Sequence, residues 1–317
     1  MKHIRFASFF AILLLSALAC NLPGSAATPP PAAPLVDATK IALEIQATQL
    51  SLQLTQSALQ AQTPVEAPTE PPTAIPPTPT LRAPTEIPPT PEPDIDALVQ
   101  NANILLYEDT HWIGLWVEDA LNGMGLKYNQ MGDRQGDFLG ALNSGTKWDL
   151  IIIASEHRSG VQGEFWDAIL PRVVNDKTAL IVEMWYLNRI ANGRIKPLLT
   201  QCGIEYQRNW AYAESIYFLD TSHPVFSEPN QGFSLINYDP YWEDAGDLIR
   251  LIPGSNATLL AGTFQNRKSD YGVIASCFDG RVIFQTFCNH DFHRSDITQL
   301  WQNYVYYTLE NHFLAVP

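Results

Sequence analysis

The sequence predicts a three-layer α/β domain with a mainly parallel sheet over residues 95–317, and three observations carry that reading. From Ile95 onward, short apolar runs alternate with stretches of helical spacing, the pattern of βαβ units. Some of those runs, WDLIIIASEH above all, are apolar without alternation, as strands buried on both faces are. The second half adds a hairpin signal and a long closing helix.

The elements follow in order. NILLYED, Asn103 to Asp109, is a short apolar strand ending in acids. WIGLWVEDALNGMG has helical spacing, with Gly123 and Gly125 as stop signals. LKYNQMGD reads as a second strand, GDFLGALNSG as a short helix, and WDLIIIASEH as the third strand. EFWDAILPRVVND reads as a helix interrupted by Pro171, TALIVEMWYLN as a fourth strand, and RIKPLLTQCG as a further helix. From Ile204 the chain is richer in strands. YGVIASCFDGRVIFQTF holds two β runs around Asp279-Gly280, a two-residue hairpin turn. SDITQLWQNYVYYTLENHF is the closing helix. The sum is a flavodoxin-like arrangement.

The rest of the chain is different material. Of 24 prolines, twelve fall between Thr63 and Asp94 and only seven follow, so a proline-rich linker separates the N-terminal part from the domain. At about 3.1 Å per residue in polyproline II, residues 63–94 form a spacer on the order of 100 Å long. Residues 36–62 contain no glycine or proline and are rich in Ala, Leu and Gln. Ala38, Ile45, Leu52 and Leu59 recur every seven residues, which fits either a three-heptad coiled coil that makes an oligomer or an isolated amphipathic helix. Residues 20–35 read as a flexible linker.

At the N-terminus, Lys2 and Arg5 precede an uncharged apolar run from Phe6 to Ala19, too short for an ordinary membrane span and right for a signal peptide over 1–19. The run ends in SALAC. That string resembles the lipobox of bacterial lipoproteins, with Ala17 and Leu18 in the reverse of the commonest order. The resemblance implies acylation of Cys20 and an extracytoplasmic protein held to the cell membrane by its lipid. With 19 basic against 33 acidic residues and a net charge of −14, the chain lacks the basic face that nucleic-acid binding needs. Cys202, Cys277 and Cys288 are an odd set, allowing at most one disulfide. The hairpin register places Cys277 beside the turn and Cys288 at the far end of the next strand, about 20 Å away, so these two cannot bridge. Buried free thiols are the expectation.

Parallel α/β sheets bind ligands outside the carboxyl ends of their strands. Those ends carry Glu108, Asp109 and His111; then Asp133; then Glu156, His157 and Arg158; then Glu183, Trp185 and Asn188; and last Asn289, His290, Asp291 and His293. Four of the seven histidines follow strand ends, more than loops in general would gather. His290 and His293 are candidate ligands of a divalent metal together with Asp291, Glu156 or Glu108. A His–carboxylate pair could equally serve acid–base chemistry, and His290, Asp291 and Glu183 are the candidates for it. A polar binding or structural cluster is the third reading. Trp185 and Tyr186 could offer faces to a sugar, although aromatics in such segments are commonly core.

GRVIFQTFCNHDFHRSDITQLWQNYVYYTL resembles the closing motif of the ThuA-like (trehalose-utilisation) family, and TSHPVF with the later YDPYWED is similar to that family's His-Pro segment and its acidic sequel. The first half resembles the wider class I glutamine amidotransferase-like superfamily. These resemblances imply carbohydrate binding or processing. They also expose a departure: the position of the superfamily's nucleophilic cysteine, the elbow after the fourth strand, reads IVEMWYLN, with neither cysteine, serine nor glycine. The function expected is that of a surface-anchored lipoprotein presenting a noncatalytic domain that binds a carbohydrate or envelope component. The alternatives are an extracytoplasmic carbohydrate-active enzyme using His290 and Asp291, and a structural envelope protein.

Overall fold

The computed structural model describes residues 93–109, 113–157, 163–210, 215–236 and 246–316. Cys20, the heptad segment and the proline spacer up to residue 92 lie outside them. So do His111, Arg158 and the YDPYWED segment. Among the described residues, no helix is long and apolar enough to cross a membrane.

The fold is a three-layer α/β sandwich. α1 (Ile95–Gln100) is capped by Asp94, whose carboxylate accepts the Ala97 N–H. β1 (Ile104–Glu108), α2 (Trp116–Gly123), β2 (Tyr128–Gln130), α3 (Gln135–Asn143), β3 (Leu150–Ala154), α4 (Phe165–Val174) and β4 (Ala179–Glu183) then alternate as the sequence predicts. α5 (Leu187–Ile190) is a single turn, and α6 (Lys196–Cys202) starts with Pro197 in its first turn and ends at Gly203 in the left-handed conformation. The second half holds β5 (Ile204–Asn209), β6 (Tyr217–Phe218), α7 (Pro224–Ser227), β7 (Asp247–Leu251), β8 (Thr258–Gly262), β9 (Gly272–Cys277), β10 (Val282–Gln285) and α8 (Arg294–Ala315).

The sheet order is β2-β1-β3-β4-β10-β9-β7-β5, with β8 paired to β9 and β6 to β8. The five strands from β2 to β10 run parallel, and beyond them the pairings are antiparallel. β1, β3, β4 and β10 are buried at every position, which is why their sequences run apolar without alternation. One face, bearing Ile104, Ile152, Ile181 and Ile283, packs with Val117, Leu121, Trp301 and Tyr304 of α2 and α8. The other, bearing Leu105, Ile151, Val182 and Phe284, packs with Phe138, Trp166, Ile169 and Leu198 of α3, α4 and α6.

Two expectations are corrected. Pro171 does not interrupt its helix: α4 runs through it, because Phe165, Trp166, Ile169 and Val173 bury one continuous face. Cys202 and Cys277 are not free thiols but form a disulfide, with Cα atoms 5.3 Å apart across 75 residues of sequence. Only the fold brings the end of α6 to the end of β9. The turn at Asp279-Gly280 forms as predicted. Both residues have positive φ (56° and 85°), and the Arg281 N–H donates to the Phe278 carbonyl at 3.2 Å.

Candidate functional site

The carboxyl ends of β1, β3, β4 and β10 converge. Register pairs Glu108 with Ala154, Ala154 with Glu183, and Glu183 with Gln285, so these four form one row across the sheet. The row faces the layer of α2 and α8. Five carboxyl groups are buried at this end: Glu108, Asp109, Glu156, Glu183 and Asp291.

Each has a different environment. Leu115 stands at the N-cap position of α2 and offers no side-chain acceptor. Glu108 reaches over instead, and its two oxygens accept the Val117 and Glu118 N–H groups at 2.9 and 3.0 Å. Burial pushes its pKa up to about 8, with the two donors opposing the rise. Glu108 is thus engaged by the helix end. Asp109 organises the exit of β3. It accepts the Ser155 hydroxyl at 3.0 Å, the Glu156 N–H at 3.0 Å and the His157 N–H at 3.2 Å, while burial raises its pKa to about 6. Tyr186 buttresses the same loop through Ser155, at 2.7 Å.

That loop aims Glu156 across the sheet at the segment following β10. One Glu156 oxygen accepts the Asn289 N–H and the other meets His290 Nδ1, both at 2.5 Å. Asn289 is itself fixed from within: its Oδ1 accepts from Gln285 Nε2 at 2.8 Å and from the Trp301 indole at 3.0 Å. His290 Nε2 lies 3.6 Å from Asp291 Oδ1, so the imidazole stands between two carboxylates with its side chain 8% exposed. Cys288, fully buried, completes the cluster. One ligand-type atom each from Cys288, His290 and Asp291 lies within 4.8 Å of the others. Burial pushes the Cys288 thiol well up, and the charges of Glu156 and Asp291 and a hydrogen bond with Asp291 push the same way.

Glu183 occupies the last position of β4, before the elbow formed by Met184 and Trp185. It is completely buried, neither carboxyl oxygen makes a well-formed hydrogen bond, and the Ser155 backbone N–H is the donor that acts on it. Desolvation first, and then the nearby Glu156, Asp109 and Glu108, hold its pKa well above the usual carboxylate range. Met184 is buried too, so the elbow presents no thiol or hydroxyl.

The structure therefore brings Glu108, Glu156, Glu183, Asn289, His290 and Asp291 to one rim. His157 and His293 are exposed, and His293 stands at the N-cap position of α8. Trp185 is buried and donates its indole N–H to the Glu156 carbonyl at 2.9 Å; it presents no open stacking face. Cys288 is the member that sequence reasoning left out of the site. Its spacing of two and three residues from His290 and Asp291 was the available signal.

No protein-family model matches the chain, and no curated protein does. Among solved structures it is similar to a GMP synthase-like protein from Thermoplasma acidophilum, at 11% identity and a TM-score of 0.41, over 68% of this chain and 96% of that one. At that identity and TM-score no activity follows from the likeness.

Proposed function

We propose that this chain is a surface-anchored bacterial lipoprotein whose amidotransferase-like domain binds a carbohydrate or another envelope component without hydrolysing it. One observation carries the reading. The elbow after β4 holds buried Glu183 and Met184 where an amide-cleaving enzyme needs a nucleophile, while the His290–Glu156–Asp291 cluster stands at the same rim. The ThuA-like likeness of the closing segment points to sugars as the ligand class. Anchoring is supported by SALAC at the end of the apolar run and by the Cys202–Cys277 disulfide, a bond that persists in oxidising compartments.

The test is pull-down of the full chain by purified peptidoglycan and by an array of neutral and acidic oligosaccharides, beside a glutaminase assay. The reading expects binding that His290→Gln abolishes, and no ammonia released from glutamine. Glutamine hydrolysis, or binding indifferent to His290→Gln, would refute it. A second reading, a carbohydrate-active enzyme, is favoured by the short Glu156–His290 contact, which suits an oriented base. Turnover of any sugar in that array, lost in Asp291→Asn, would select it.

A further inference from the structure

The rim has a surplus of buried acid. Five carboxyl groups gather there, and among the described residues neither Glu156 nor Glu183 forms an ion pair with a lysine or arginine. Glu183 makes no well-formed hydrogen bond, with the Ser155 backbone N–H the donor that acts on its carboxyl group. A buried carboxyl set of this kind is normally matched by cations or by a metal. The one imidazole in the cluster is oriented as a metal-binding imidazole would be. Glu156 holds His290 Nδ1 at 2.5 Å, which turns Nε2 toward Asp291 Oδ1 at 3.6 Å. A carboxylate on one ring nitrogen with the other directed at a ligand cluster is the usual outer partner of a histidine–metal bond.

We infer that Cys288, His290 and Asp291 form a zinc site, with His290 Nε2, one Asp291 oxygen and Cys288 Sγ as ligands and Glu156 as the positioning residue for His290. Tetrahedral zinc bonds of about 2.0–2.3 Å separate ligand atoms by roughly 3.3–3.6 Å. The three atoms here lie within 4.8 Å of one another, so rotamer-scale movement brings them to that spacing. The donor set selects the ion: a thiolate with an imidazole suits zinc and disfavours calcium or magnesium, which take oxygen alone. On binding, the Cys288 S–H bond breaks, its proton leaves to the buffer, and a sulfur–zinc bond replaces it; no electron changes hands. Three protein ligands would leave a fourth position for a water or another ligand. The inference rests on the geometry of the rim alone, so it stands or falls apart from the sugar-binding reading.

The experiment uses the full chain purified in detergent. After exposure to zinc and dialysis against metal-free buffer, elemental analysis is expected to find one zinc per chain. Cobalt(II) in its place gives tetrahedral d–d bands and a thiolate-to-cobalt charge-transfer absorption. Cys288→Ser removes that absorption and weakens zinc at least about 10-fold, and Glu156→Gln, which leaves all three ligands in place, weakens it about 10- to 100-fold. Absence of stoichiometric zinc, or a charge-transfer band that survives Cys288→Ser, overturns the proposal. Cys288 is fully buried, so if its variant does not fold, His290→Gln at the rim decides: zinc retained there overturns the site, and zinc lost with the near-ultraviolet circular dichroism intact supports it.

Discussion

Replacing Glu183 by methionine should make this protein more stable, and increasingly so as the pH rises. The side chain is completely buried and neither oxygen makes a well-formed hydrogen bond, so the native state gains little from its polarity. A methionine of similar length removes that desolvation, worth on the order of 2 kcal/mol. For a domain of this size, ~1 kcal/mol corresponds to about 2–4 °C, so Tm should rise by about 4–8 °C. The pH dependence has a definite sign. Burial raises the Glu183 pKa in the native state, whereas the unfolded chain titrates near the ordinary ~4.3. Above that pH the unfolded state has released a proton that the native state keeps. Stability is therefore full below ~4.3 and falls with rising pH, by up to about 1.4 kcal/mol per unit, until the native pKa is reached. Glu183→Met removes this component, while Glu108, raised to about 8, keeps its own. Urea denaturation in metal-free buffer at pH 5 and pH 7.5 measures both quantities. A variant less stable than the parent at pH 7.5, or a stability difference that does not grow between the two pH values, would show that Glu183 makes a well-formed hydrogen bond and that the reasoning fails.

Other expectations rest on the structure and on the sequence. Glu108→Ala leaves the first turn of α2 without its acceptor and should cost about 2 kcal/mol in urea denaturation, with Glu108→Gln, which keeps one acceptor, losing roughly half as much. The double variant Cys202→Ala, Cys277→Ala releases a loop of 75 residues and should lower stability by about 3–4 kcal/mol, read by calorimetry with and without reductant. Cys20→Ala should shift the chain out of the membrane fraction, and a native N-terminus lying beyond Cys20 by mass spectrometry would exclude acylation there. Limited proteolysis should cut between Thr63 and Asp94 and leave a fragment that melts cooperatively; a fragment without such a transition would mean that the preceding segment packs on the domain.

The parallel half of the sheet was legible because its strands are buried on both faces, and a run such as Leu150–Ala154 is written in apolar residues alone. The antiparallel half was harder to read. β5 is only partly buried and carries a register shift between Tyr206 and Arg208, so it shows no clean alternation. The acids at the strand ends were visible, but their partners were not. Glu108 belongs to a helix end nine residues on, and Glu156 to a histidine 134 residues away. His290 and His293 look equivalent in sequence. The start of α8 at Arg294 leaves His293 outside, while Trp301 and Gln285 draw Asn289 inward and His290 with it toward Glu156.

Gly246 has a mechanical consequence for this rim. It bridges to Phe287, and a Cβ there would stand 2.2 Å from the Thr286 carbonyl oxygen, so no larger residue fits the seam without moving it. Asp247 fastens the same seam, donating its N–H to the Thr286 carbonyl and accepting the Thr286 hydroxyl on its own carbonyl. The strand that carries the antiparallel wing is thus fastened to the residues immediately before Cys288 and His290. Moving β7 away from Thr286 therefore breaks bonds on the segment that leads into Cys288 and His290, so the inner end of the wing and the rim are held in one frame.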